Sequence, residues 1–200
     1  MDYKPKILAI AGSMREDSYN KKLAKIAAAG ARKAGANVTL LNLADYRLPL
    51  YDGDLEDREG LPDKAKELKR LFIDHDGFLF SSPEYNSSIS GVFKNAIDWV
   101  SRPEKEDPVS LVAFRGKTAA LMSASPGVLG GLRGLVHLRA ILSNIHVLVL
   151  PDQVTVSKAH EAFNEDGQLK DLKKMKGILA LGEKLTEMLR LLHQPYSTTD

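Results

Sequence analysis

The chain has no cysteine among its 200 residues. That excludes disulfide frameworks, thiolate zinc sites, iron–sulfur clusters and cysteine nucleophiles, and it fits a reducing compartment. No apolar run is long enough to span a bilayer. The N-terminus lacks the basic, then apolar, then small pattern of a secretory signal, because Asp2, Lys4 and Lys6 surround a very short stretch. We therefore expect a soluble, cytoplasmic protein without a membrane partner. Neither sign of charge dominates: 28 Lys and Arg face 26 Asp and Glu, a formal +2. With no basic stripe interleaved with aromatics, and no helix-turn-helix or zinc-finger pattern, nucleic acid is not an expected partner. His75, His137, His146, His160 and His193 show no metal-ligand spacing, so no metal is expected. No Gly-x-Ser-x-Gly elbow or recognisable acid/base pair is present either, and Asp152 and Glu161 near the last strand do not form one.

What is present is alternation. Short apolar runs at Lys6–Ala11, Val38–Leu43, Gly77–Ser81, Lys117–Ser123 and Ile145–Leu150 read as strands, the last closed by Pro151. Between and after them lie segments of helical rhythm: Ser18–Gly35, Ala65–Phe72 with Pro62 at its first position, Gly91–Arg102, Leu132–Asn144 and Gln168–Leu192. Leu48–Gly60 reads as a loop, and Val154–Gly167 as a polar, irregular insert. Such alternation predicts an α/β fold, a doubly wound five-stranded parallel sheet of order 2-1-3-4-5 with helices on both faces. Residues 1–195 are expected to form a single domain and 196–200 a frayed tail.

In that order, ligands bind where the loops after strands 1 and 3 diverge. The loop after strand 1 is Gly12 to Asn20. Gly12 permits a tight turn, Ser13, Ser18 and Asn20 offer neutral hydrogen bonds, and Arg15 offers a positive fork. The following helix start favours an anion, so the segment suits a phosphate monoester as well as an ordinary capped turn. It is neither a Walker loop nor Gly-x-Gly-x-x-Gly. The loop after strand 3, Ser82–Gly91, presents backbone groups that can read the edge of a planar heterocycle. The loop after strand 4, Ser123–Gly131, is small and glycine-rich, permitting close backbone approach.

Three motifs in register resemble the NAD(P)H-dependent FMN reductases, the flavodoxin-like group with quinone, azo-dye and chromate reductases. They are Gly-Ser-x-Arg-x-x-Ser-x-Asn at Gly12–Asn20, Pro-Glu-Tyr-Asn at Pro83–Asn86 with Gly-x-x-Lys-Asn-Ala-Ile-Asp-Trp at Gly91–Trp99, and Ser-x-Ser-Pro-Gly at Ser123–Gly127. The resemblance runs from Lys6 to about Leu150. It implies that Ser13, Arg15, Ser18, Tyr19 and Asn20 hold the FMN phosphate. Pro83, Glu84, Tyr85 and Asn86 would border the isoalloxazine, largely through main-chain groups, and Ser123, Ser125 and Gly127 would close its other side. It further implies NADPH or NADH as co-substrate, a small electron acceptor, and a homodimer or homotetramer with Asp98 and Trp99 near its interface, with plain core packing an equal alternative for Trp99. No catalytic side chain is expected, since a flavin carries the hydride chemistry itself. A flavodoxin-type electron carrier and a flavin-free interaction domain are the alternatives on this fold. The near-neutral charge and the Ser/Arg loop count against the carrier.

Overall fold

The computed structural model describes residues 3–193. Its central sheet is built from β1 (Lys6–Ala11), β2 (Asn37–Leu41), β3 (Gly77–Ser81), β6 (Thr118–Ala124) and β7 (Leu148–Val156). A separate two-stranded hairpin, β4 (Glu84–Tyr85) and β5 (Ser88–Ile89), follows β3. All neighbouring strands in the five-stranded sheet run parallel, in the spatial order β2-β1-β3-β6-β7. This is the predicted 2-1-3-4-5 arrangement with the hairpin set aside.

Strands buried on both faces need apolar side chains at every position. In β1, Ile7 and Ala9 join one core, and Leu8 and Ile10 the other. The first core is closed by α1 (Tyr19–Lys33) and α7 (Leu172–His193), the second by α3 (Asp63–Asp74), α4 (Gly91–Val100) and α5 (Leu132–Asn144). α1 and α7 pack backbone to backbone: a Cβ on Gly30 would lie 2.1 Å from the Leu179 carbonyl oxygen, and one on Gly182 2.1 Å from that of Ala27.

Five expectations need correction. The stretch Leu48–Gly60 is not all loop, because Asp52 caps a short helix, α2 (Gly53–Glu59), which ends at Gly60 with φ 71°. α2 buries none of its residues, so no apolar periodicity announced it. Pro62 lies one residue before α3 rather than inside it. The last strand does not stop at Pro151 but continues to Val156. It is an edge strand, where a missing N–H is tolerated, and the register shifts between Ala119 and Leu121 of β6 as the chain passes the proline. Arg139 supports this bend by donating to the carbonyls of Val149 and Leu150 and to Gln153. The insert expected at Val154–Gly167 thus begins inside β7, then forms the helical turn α6 (Ala159–Ala162) and a Phe163–Leu169 bridge. The final helix starts at Leu172 rather than Gln168. The expected tail at 196–200 lies outside the described residues.

Between α4 and β6 the chain makes a turn-rich excursion. Lys69, 1% exposed, pins it by ion pairs to Asp107 and Glu104 and a hydrogen bond to the Arg102 carbonyl. A buried ammonium is tolerated only with such partners.

Candidate functional site

Three loops meet at the carboxyl ends of β1, β3 and β6, and short bonds fix them to one another. The Gly12 N–H donates to the Ser81 carbonyl at 2.9 Å, and the Ser82 N–H donates to that of Met122 at 3.0 Å. The Ser90 hydroxyl donates to the Gly12 carbonyl at 2.6 Å while accepting from the Phe93 N–H, so it both caps α4 and ties the third strand's loop to the first. A Cβ at Gly12 would come 2.7 Å from the Phe93 ring, which explains the glycine where β1 ends.

Asn20 sits at the centre of this arrangement. Its side-chain oxygen accepts from the Ser81 hydroxyl at 2.9 Å and the Ala124 N–H at 3.0 Å. Its Nδ2 donates to the Ala124 carbonyl at 2.9 Å. The amide therefore clamps the ends of β3 and β6 to the start of α1, a positioning role that the phosphate motif did not reveal.

The other residues of the first loop are less committed. Ser18 occupies the N-cap position of α1 but makes no side-chain cap bond, and no acidic residue stands in the first turn. The helix thus retains unsatisfied N–H groups and their positive end. Ser13 is buried, its hydroxyl oxygen accepting from the Arg15 N–H at 3.3 Å in a local turn. Arg15 is exposed and, among the described residues, forms no ion pair. An unspent hydroxyl, a free guanidinium and an uncapped helix end fit a dianionic phosphate. Tyr19 instead turns its ring onto Phe163, stacked at 5.9 Å between centroids, with the Lys22 ammonium over both rings.

The second loop is the β4–β5 hairpin. Asn86 and Ser87, at φ 50° and 66°, form its two-residue turn. Two left-handed residues in succession match the primed turn that suits strand twist, and Asn is a favoured first member. Tyr85 and Asn86 are exposed, whereas Pro83 is buried. The Glu84 side chain does not face outward. It accepts from the N–H groups of Arg133 and Gly134 at 3.1 and 3.3 Å, and from the Arg133 guanidinium at 2.9 and 2.5 Å. Burial alone would raise its carboxyl, but the Arg133 guanidinium and the two N–H donors outweigh that and hold it below the ordinary carboxylate range. Glu84 therefore anchors the hairpin to the N-terminus of α5, its carboxylate committed to protein donors. His137 adds a 3.0 Å contact to the Ser88 hydroxyl.

The third loop follows β6. Ser123 is fully buried, its hydroxyl donating to the Ser82 carbonyl at 2.6 Å. A Cβ at Gly131, whose φ is 91°, would meet that hydroxyl oxygen at 1.8 Å. Ser125 accepts from the Gly127 N–H at 3.3 Å, and Gly127 lies exposed at the rim. Trp99 is fully buried against Leu61 and Ala65, donating to the Pro49 carbonyl, as its core-packing alternative expected. Asp98 is held by Lys94 one turn earlier.

Sequence reasoning missed Ser81, Ser90, Arg133 and Phe163. Ser90, directly before the Gly91 helix, carried an N-cap signal. The others are brought in by tertiary contacts alone.

The comparisons with known proteins agree with this geometry. The family model for NADPH-dependent FMN reductases matches residues 5–161. The chain belongs to this family. It is thus a member of a group of flavin- and NAD(P)H-using enzymes, as the three loops suggested. An NAD(P)H-dependent FMN reductase of Pseudomonas aeruginosa is 38% identical over 168 residues, covering 83% of this chain and 85% of that protein. A quinone reductase of Escherichia coli is 35% identical over 150 residues, 75% of this chain and 76% of its own. Among solved structures, the flavoenzyme NAD(P)H:(acceptor) oxidoreductase FerB from Paracoccus denitrificans superposes with a TM-score of 0.75 at 29% identity, covering 94% of this chain and 98% of its own. No helix among the described residues of this family member is long and apolar enough to cross a membrane.

Proposed function

We propose that the protein is an oxidoreductase that holds FMN in the crevice between these loops and passes two electrons from NAD(P)H to a small acceptor. The observation that carries this is the first loop. Arg15, the Ser18 hydroxyl and the α1 N-terminus are left unspent at a topological switch point, beside loops locked to one another. When bound there, FMN supplies the hydride chemistry. The chain's own residues do the rest. Arg15, Ser13 and Ser18 take the phosphate, the main chain of Pro83–Asn86 reads the ring edge, and Ser125–Gly127 flanks its other side. Glu84 and Asn20 hold these segments in place without touching the ligand.

We assign no proton-transferring side chain, and the single crevice would serve both substrates in turn, NAD(P)H leaving before the acceptor enters. Quinones, azo compounds, free flavin and metal oxyanions are the acceptor classes for such an open site. The relatives named as quinone reductases favour quinones. We further propose a cytoplasmic homodimer or homotetramer. Val128, 82% exposed, Leu129, Leu132 and Val136 expose apolar side chains along the third loop and α5, a patch that a second copy can cover. Fluorescence titration tests the central assignment: FMN should bind at least tenfold more tightly than riboflavin, because only FMN engages the phosphate loop. Equal affinities would remove the phosphate site.

A further inference from the structure

A cleft opens beside the first loop, between it, the loop after β2 and the start of α4. Its volume is about 240 Å³, and its lining includes Met14, Tyr46, Arg47, Leu48, Val92 and Asn95. It is tied directly to the loop crevice. Met14 stands between Ser13 and Arg15 of the first loop. Val92 and Asn95 stand on α4, whose N-cap Ser90 donates to the Gly12 carbonyl at 2.6 Å and whose Phe93 ring packs against Gly12.

The wall opposite the first loop is held by residues that the flavin reading leaves without a role. The Asn95 side-chain oxygen accepts from the Tyr51 N–H at 2.8 Å, and its Nδ2 donates to the Pro49 carbonyl at 2.8 Å. The Trp99 indole N–H donates to the same carbonyl at 2.8 Å, and the Tyr51 ring meets Trp99 edge-on at 5.1 Å. Residues 46–51 are thereby pinned to α4, although α2 directly after them buries nothing. A wall fixed in this way keeps the shape of the cleft before a ligand arrives.

The cleft carries one sign of charge. Arg47 is exposed, forms no ion pair among the described residues, and is the only charged residue of the lining. The nearby acids lie outside it: Asp98 is paired with Lys94, and Asp45 accepts from Asn42. Met14, Tyr46 and Leu48 are half-buried, and Val92 leaves an apolar side chain 40% exposed. Thioether, phenol and aliphatic walls suit the face of a flat ring, and a lone guanidinium suits one negative substituent on it. Pockets for drug-sized ligands run to roughly 300–1,000 Å³, so this smaller space takes one or two fused rings rather than a dinucleotide.

We propose that this cleft is a subsite for the electron acceptor, and that Arg47 selects aromatic acceptors bearing a negative charge. This rests on the flavin reading given above, and it gives Asn95 and Trp99 the role of positioning residues for the wall. A quinone held here takes a hydride equivalent from NAD(P)H by way of the flavin and a proton from solvent. The products are the hydroquinone and NAD(P)⁺, and the anionic substituent keeps its charge throughout.

The test uses the full-length FMN-loaded protein, Arg47→Gln and Val92→Trp. Calorimetric titration with naphthalene-2-sulfonate and the neutral naphthalene-2-sulfonamide gives a readout independent of turnover. Wild type should bind the sulfonate about fivefold more tightly, the upper range for an exposed ion pair, and Arg47→Gln should lose that margin. The ratio of kcat/KM for 1,4-naphthoquinone-2-sulfonate over 1,4-naphthoquinone should fall by the same factor, since intrinsic ring reactivity cancels between variants. Val92→Trp fills the cleft and should raise KM for both quinones about tenfold, while both variants keep FMN affinity within about twofold of wild type. An unchanged ratio in Arg47→Gln overturns the charge selection. A lower ratio there with unaltered KM values in Val92→Trp overturns the subsite, because Arg47 would then act only at long range. A changed molecular mass of Val92→Trp by light scattering, with acceptor kinetics intact, overturns it too, since a second copy of the chain would occupy the cleft. Failure of wild type to bind FMN defeats both readings, and the FMN titration is run first to separate the cases.

Discussion

Asn20 and Arg15 belong to the same nine-residue motif, yet the Asn20 amide is bonded into the protein while the Arg15 side chain is exposed, and paired substitutions test whether their roles differ. Asn20→Ala deletes an amide that is 3% exposed and makes three hydrogen bonds across the strand ends. The Ser81 hydroxyl can turn to another acceptor. The Ala124 N–H and carbonyl, buried at the end of β6, lose these side-chain partners. Each stranded buried group costs about 1–3 kcal/mol, so a loss of about 4 kcal/mol is expected. That is a large share of the roughly 5–15 kcal/mol typical of a domain, and it corresponds to a fall of roughly 8–16 °C in melting temperature at this size. Arg15→Ala removes an exposed side chain and should change stability by no more than about 0.5 kcal/mol. It should nevertheless weaken FMN roughly tenfold to a hundredfold, the value of a lost charged hydrogen bond of about 1.5–3 kcal/mol. Calorimetric melting of the flavin-free proteins and FMN titration of each variant supply both axes. The division of labour is wrong if Asn20→Ala melts within about 2 °C of wild type, or if Arg15→Ala melts far lower while its FMN affinity is unchanged.

Three further outcomes follow from other parts of the molecule. Glu84 is held ionised below its ordinary pKa, so its contribution to stability is complete above the usual carboxylate value of 4.5 and fades as pH falls through the lowered folded-state value; Glu84→Gln should therefore flatten the acid limb of a melting-temperature profile, and an unaltered limb would show that the Arg133 pairing contributes nothing. Gly182→Ala places a Cβ 2.1 Å from the Ala27 carbonyl oxygen and 2.6 Å from the Ala31 nitrogen. Forcing α1 and α7 apart should cost about 2–3 kcal/mol in urea unfolding, and a neutral result would mean that the helices slide freely. Steady-state rates with NAD(P)H varied at several quinone concentrations should give parallel double-reciprocal lines, whereas intersecting lines would show both substrates bound together.

Much of this was legible in the residues because strand and helix periods are local properties. β1, β3 and α5 fall where their apolar spacing puts them. The loops were found for a related reason, since glycine, serine and arginine interrupt the apolar periods on either side. What escaped was decided at long range. Pro151 reads as a stop in any single strand, and only its edge position lets β7 continue past it. Asn20 and Glu84 read as ligand groups, because their partners Ala124 and Arg133 lie 104 and 49 residues away. A motif marks the neighbourhood of a site, but which members face a ligand and which face the protein depends on contacts that sequence spacing does not encode.

The close approach of α1 and α7 also bears on synthesis. α1 leaves the ribosome well before α7, and its Gly30 surface is covered by Leu179 of that helix. Ile26, Ala27 and Ala31 share a core with Ile178, Leu181 and Leu185 of that helix. Until those residues emerge, the helix expected to receive the phosphate keeps its apolar flank open to water, a surface that invites aggregation in incomplete chains. On the flavin reading proposed above, cofactor capture then waits until α7 has emerged. Nascent chains stalled before Leu172 should sediment with chaperones rather than acquire flavin fluorescence.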